Sequence, residues 1–203
     1  RALAARGRWR EAAAGFDGIA SRRGPRMDEA LLRAGQCFAA RGDSARARRA
    51  FEAVSPDGEH GAAARQGLLR LRLATEPEGV AQELVLVAGQ DRTPELDVLR
   101  LLALQALGER TKLLPALADF DSRHGAHPEA LVVRAMEAAR QPSTAAEATL
   151  HADRALALAR PGTFEYVRVA RSLAELYRLL GETSDERRMR QELEAWGPEL
   201  GDS

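Results

Sequence analysis

The sequence has no asparagine, a single lysine (Lys112), a single cysteine (Cys37) and an aromatic content of only 4%. One cysteine cannot close an internal disulfide, so no covalent staple is available to the chain. With so few rings, a core must be assembled from Ala and Leu, small and medium side chains that suit closely packed helices. Thirty basic residues against thirty acidic ones leave no net field to draw the chain to nucleic acid or to a membrane surface. No apolar run reaches the roughly 18 residues of a membrane span. Also missing are a glycine-rich phosphate loop, a Gly-x-Ser-x-Gly elbow and a His-Glu-x-x-His pair. An enzyme is therefore not expected, and no catalytic residue, cofactor site or metal site is assigned.

The few chemically versatile side chains fit that reading. His124 and His127 have metal-ligand spacing, but Gly125 and Pro128 place them in a link between helices, with no carboxylate or cysteine close in sequence to complete a site. Cys37 falls in mid-helix, where a packed thiol is expected rather than a nucleophile. The acids Glu192 and Glu194 read as a solvated helix face. Among the 30 basic residues 29 are Arg, which together with abundant Ala points to a GC-rich bacterial coding bias.

What is present is a repeat. Gly7, Gly42, Gly108 and Gly181 each lie between two helical patterns, and offsets of five, nine and twelve recur after them: Ala12, Phe16 and Ile19; Ala47, Phe51 and Val54; Leu113, Leu117 and Phe120; Glu186, Arg190 and Leu193. Ser143 and, less closely, Ala74 occupy the same place, so the anchors fall at 7, 42, 74, 108, 143 and 181, a period of about 34 residues. Before each anchor runs a second helical face, such as Leu31, Ala34, Gly35 and Phe38, or Ala170, Leu173, Ala174 and Tyr177. Pro25, Pro56, Pro128, Pro161 and Pro198 lie near the ends of the trailing helices. Each unit reads as helix, short turn, helix, stop. The stretch "TEPEG" (75–79) is expected to distort the turn of the third unit.

Leu31, Ala34-Gly35, Phe38, Ala47, Phe51 and Pro56 resemble the signature of the tetratricopeptide repeat family. The resemblance covers nearly the whole chain, most closely in the second and sixth units; Arg70 and Arg100 depart from it in the third and fourth. It implies an all-α fold: an α-solenoid of about five to six stacked antiparallel helix hairpins wound into a right-handed superhelix. The units would be 1–26 (partial), 27–59, 60–93, 94–127, 128–161 and 162–203 of a single array. Gly35, Ala47, Ala148 and Ala174 would let paired helices approach, with Phe16, Phe51 and Tyr177 filling the gap to the next hairpin. The partial first unit, and the absence of a solvating helix after "ELEAWGPELGDS", suggest a fragment of a longer protein or an end covered by a partner.

The resemblance also implies a binding groove lined by the leading helices. Its residues would be Glu29, Leu32 and Gln36, then Leu68 and Arg72, then Leu102 and Gln105, then Glu137 and Arg140, and finally Arg168, Arg171, Glu175 and Arg178. The partner expected is a protein or peptide with apolar and acidic groups, the arginines making charge-assisted bonds to its carboxylates. Pairing of Arg168, Arg171 and Arg178 with Glu165, Glu175 and Glu182 is the competing reading. A clamp for chaperone tails, which the family builds from Lys and Asn, is not expected here. The function indicated is a protein-binding scaffold in a bacterial envelope, motility, secretion or regulatory assembly; alternatives are the sensor segment of a multidomain enzyme or transcription regulator, and a lipid-anchored or periplasmic assembly factor. A cytoplasmic location is expected, or a periplasmic or lipid-anchored one if a signal was removed. The Arg41-Gly42-Asp43 tripeptide reads as a turn with a helix cap, not as an adhesion signal.

Overall fold

In a computed structural model of the chain, which describes residues 9–20, 26–86 and 92–196, the described residues form eleven α-helices and no strand. In order they are α1 Trp9–Ala20, α2 Met27–Ala40, α3 Ser44–Glu52, α4 Gly61–Leu73, α5 Pro77–Val85, α6 Pro94–Ala106, α7 Arg110–His124, α8 Pro128–Ala138, α9 Ala145–Leu158, α10 Phe164–Leu180 and α11 Thr183–Trp196. The chain divides into two compact units, Arg1–Arg72 with Leu193–Ser203, and Leu73–Glu192. Gly7, Pro25 and Pro198 lie outside the described residues.

Three of the anchor glycines close helices in the same way. Gly42, Gly108 and Gly181 have φ of 77°, 69° and 73°, a conformation that only Gly enters without a Cβ penalty. At the first, the Gly42 amide donates to Ala39 O (3.0 Å) and the Asp43 amide to Phe38 O (2.9 Å), the paired bonds of a Schellman ending. The same pair recurs as Gly108 to Gln105 with Glu109 to Leu104, and as Gly181 to Arg178 with Glu182 to Tyr177. Asp43 Oδ1 then accepts the Arg46 amide at 3.1 Å and starts α3. The Arg-Gly-Asp segment is thus the C-cap of α2 joined to the N-cap of α3. Ser143 falls in the 3₁₀ turn Pro142–Thr144 that leads into α9, and Ala74 in the three-residue link before α5. The "TEPEG" stretch does not disturb that link; Pro77 occupies the first turn of α5, where its missing N–H costs nothing.

In the first unit α2 packs against α1 and α3. Its core mixes small buried residues, Ala12, Ala13, Ala30, Ala34, Cys37 and Ala47, with the larger Leu32, Phe38, Val54 and Leu69 and a wedge, Phe51 of α3. A Cβ added at Gly35 of α2 would meet the Phe51 ring at 2.5 Å, and one at Gly67 of α4 would meet it at 2.7 Å. Two bare helical positions on different helices therefore hold one ring. Gly35 admits the ring itself rather than the backbone of the facing helix.

In the second unit α5 packs on α6, α6 on α7 and α8, α8 on α9 and α10, and α10 on α9. Val98, Leu101 and Leu104 of α6 meet Leu113, Leu117 and Phe120 of α7 and Ala130 and Val133 of α8 in one apolar cluster. Each fully buried Leu or Phe of this kind contributes about 1.5–3 kcal/mol relative to exposure. Tyr177 is buried at the end of α10, and Ala148, Ala152 and Ala155 give α9 a flat buried stripe. Among the described residues no helix is long and apolar enough to cross a membrane.

Candidate functional site

The leading helices of the second unit, α6, α8 and α10, begin alike. Thr93 accepts the Leu96 amide at 3.4 Å, Thr163 accepts the Tyr166 amide at 3.2 Å, and His127 Nδ1 accepts the Glu129 amide at 3.3 Å. Pro94 and Pro128 fill the first turns of α6 and α8. Because α8 touches both α6 and α10, the three leading helices lie side by side, and residues on their shared face come together although they are some 35 residues apart in sequence.

On α10 two arginines, Arg168 and Arg178, are matched to carboxylates. Arg168 Nε and Nη2 both reach Glu129 Oε1, at 3.1 and 2.8 Å, and the carboxylate is only 6% exposed. This bond ties α10 to the first turn of α8, and neither Glu165 nor Glu175 is its partner. Arg178 grips Glu175 with two bonds, Nε to Oε2 at 2.9 Å and Nη2 to Oε1 at 2.5 Å, on an open surface. The guanidinium holds the Glu175 carboxyl below its usual range. Burial pulls the Arg171 guanidinium down. Glu182 accepts the Thr149 hydroxyl, and Glu165 faces His127 Nε2 at 3.5 Å.

Leu102 is half-buried against the apolar cluster and Gln105 half-buried beside it on α6. Arg140 is half-exposed and donates from Nε to Glu137 Oε1 at 2.8 Å. Glu137 itself does not stand open on the leading face. It is 6% exposed and turned toward the trailing helices, where Arg110 Nε lies 3.5 Å from Oε2 and where it lines a cavity of about 180 Å³ with Leu114, Arg134 and His151. In the first unit Glu29 and Gln36 on α2, and Leu68 and Arg72 on α4, are half-buried. Leu32 is closed, at 5% exposure, because it packs into the first unit's core instead of presenting an anchor.

Sequence reading missed the carboxylates that organise these helices. Asp97, 5% exposed in the first turn of α6, accepts from Arg92 Nε at 2.8 Å and lies 2.9 Å from His124 Nε2. His124 therefore has a carboxylate partner, 27 positions away, that local sequence inspection does not reveal. The Phe120 ring flanks both histidines, with centroids at 4.9 Å from His124 and 5.9 Å from His127. Among the described residues no group of three or more His, Cys, Asp and Glu could hold a metal ion. Glu192 is also not a free surface acid, since the Tyr166 hydroxyl donates to it. The one available signal was position: Asp97 and Glu129 each sit in the first turn of a leading helix that a proline opens.

Cys37 is fully buried, and that burial pushes its thiol up to about 12. At pH 8 almost none of it is thiolate, the reactive form. Ellman's reagent is expected to leave the native chain unlabelled over minutes and to titrate one thiol after unfolding in guanidinium; rapid labelling of the folded chain would contradict the packing around α2. Compared with known proteins, the chain matches no family model, no curated protein and no solved structure.

Proposed function

We propose that the chain is a tetratricopeptide-like array of helix hairpins that docks another protein, as a scaffold within a larger bacterial assembly, and that the face of α6, α8 and α10 is its binding surface. The observation that carries this reading is the serial contact of the three leading helices. It sets Leu102 and Gln105 of α6 to one side of α8 and Arg168, Arg171, Glu175 and Arg178 of α10 to the other, apolar at one side and rich in arginine at the other, with Arg140 in the turn after α8. A partner with an apolar anchor and acidic groups suits such a surface. Exposed ion pairs like Arg178–Glu175 add little stability by themselves, so exchanging Glu175 for a partner carboxylate costs the fold little. Arg168 differs, because its bond to buried Glu129 is part of the packing.

The test uses Arg178, whose partner Glu175 is itself exposed, so that no buried carboxylate loses a bond. The full chain and its Arg178→Glu variant are immobilised and incubated with extract of the native cell. Retention of the bound partner is expected to fall about tenfold or more in the variant, a charge-assisted contact being replaced by a like-charge one. Equal retention by both chains would remove this face from the binding surface.

A further inference from the structure

A second site lies in the first unit, between α2 and α3, and nothing in the leading-helix reading uses it. Leu31 and Phe38, one above the other on α2, and Ala50 of α3 form an apolar floor, and Arg46 and Arg49 of α3 form the rim of a cavity of about 280 Å³. That is several times the roughly 30 Å³ share of a water molecule, so the space takes a side chain. Phe38 is 7% exposed, with the Arg46 guanidinium 5.7 Å from its ring centroid. Asp43 fixes Arg46 from the preceding turn, at 3.5 Å. Arg49, one helical turn on, is exposed and has no carboxylate partner among the described residues.

We propose that this cavity docks a short segment of a partner protein carrying a carboxylate beside a bulky apolar side chain. The apolar group sits on Leu31, Phe38 and Ala50, and the carboxylate is gripped by Arg49 with Arg46 beside it. Charge complementarity selects this occupant. The α3 segment "SARARRAFE" carries three arginines against Glu52, no carboxylate is among the residues that line the cavity, and Asp43 in the preceding turn is already engaged by Arg46 and the helix N-terminus. Single-stranded nucleic acid would need exposed rings for base stacking, and Phe38 is covered. An open furrow between two helices, with a charged rim and an apolar floor, fits a peptide. The inference rests on the protein-binding reading above but not on the face of α6, α8 and α10.

The experiment pans a phage-displayed library of random dodecapeptides on the full chain, then measures Kd for the enriched consensus peptide. Expected are sequences with Asp or Glu next to Leu, Ile or Phe, whose binding weakens about tenfold or more in Arg49→Glu. Arg48→Glu is the control, since Arg48 is also exposed on the same helix and is not among the residues that line the cavity. It is expected to change Kd less than about twofold, the small effect of a distant screened charge. No enrichment, a consensus without acids, an Arg49→Glu chain that binds as tightly as the parent, or an equal loss in Arg48→Glu each overturns the proposal. A consensus lost in Arg178→Glu but kept in Arg49→Glu overturns it while supporting the leading face. Loss in Arg49→Glu alone supports the cavity and leaves the leading face to its own test. Enrichment by self-association, seen as a dimer in sedimentation that Arg49→Glu abolishes, assigns the cavity to a second copy and overturns it as well.

Discussion

Phe51→Ala is expected to cost about 3–5 kcal/mol, the range for emptying a buried aromatic site that cannot collapse. The ring is 3% exposed and is contacted from two sides by helical positions that carry no side chain. Neither Gly35 nor Gly67 can move inward to fill the space, because each is fixed in the backbone of its helix. The sharper expectation concerns sign. Gly35→Ala in the parent chain gains about 1 kcal/mol of helix propensity, but its Cβ would lie 2.5 Å from the ring, an overpacking that costs about 1–3 kcal/mol. The net change in the parent is therefore zero to destabilising. In Phe51→Ala the clash disappears and the new methyl enters the vacated space, so the same substitution becomes stabilising by about 1 kcal/mol or more. Urea unfolding followed by helical ellipticity, on the parent, both single variants and the double, gives the coupling directly. Additive effects would mean that the ring and Gly35 are independent, and the wedge would be wrong at that position.

The same wedge marks how far sequence reasoning reaches. Phe51 and Gly35 stand out because small and large residues recur at fixed distances from a turn glycine, and the turns are legible because a Schellman ending demands a residue at positive φ. Gly42, Gly108 and Gly181 therefore mark helix ends by their place in the repeat alone. Gly67 does not stand out, since nothing local distinguishes a helical glycine that receives a ring from one that faces solvent, as Gly15 and Gly18 do. Charged residues are less legible still. Arg168 has Glu165 and Glu175 nearby on its own helix, and helical spacing suggests one of them as its partner. Its carboxylate is Glu129, 39 positions away, because α8 and α10 are neighbours in space. The period predicts which helix a residue belongs to, but the direction of its side chain depends on small rotations. Glu137 illustrates this: it belongs to a leading helix and turns to the trailing ones.

Asp97→Ala is expected to have the largest effect of any single charge removal. Taking one partner from a fully buried pair costs about 3–5 kcal/mol, because the remaining charge stays desolvated. Here Arg92 is 19% and His124 14% exposed, so water recovers part of that loss, and about 2–3 kcal/mol is expected. Asp97 also lies in the first turn of α6, where the helix dipole favours a negative group. For a chain of this size the loss corresponds to a fall in Tm of about 4–12 °C. Asp97→Asn keeps the shape and one acceptor oxygen, and is expected to lose about half as much. Coupling should be visible too: in an Arg92→Ala background Asp97→Ala costs less than in the parent, by about 1 kcal/mol or more. A parent-like Tm for Asp97→Ala would show that Arg92 and His124 are satisfied by solvent and that the carboxylate is dispensable. The consequence for binding follows from position. Asp97 joins the start of α6 to the end of α7, while the Gly108 turn joins their other ends, so the hairpin is closed at both. Loosening the Asp97 end frees the helix that carries Leu102 and Gln105, and retention of a partner on the leading face should fall together with Tm. Retention that is unchanged while Tm drops would place the binding residues on α8 and α10 alone.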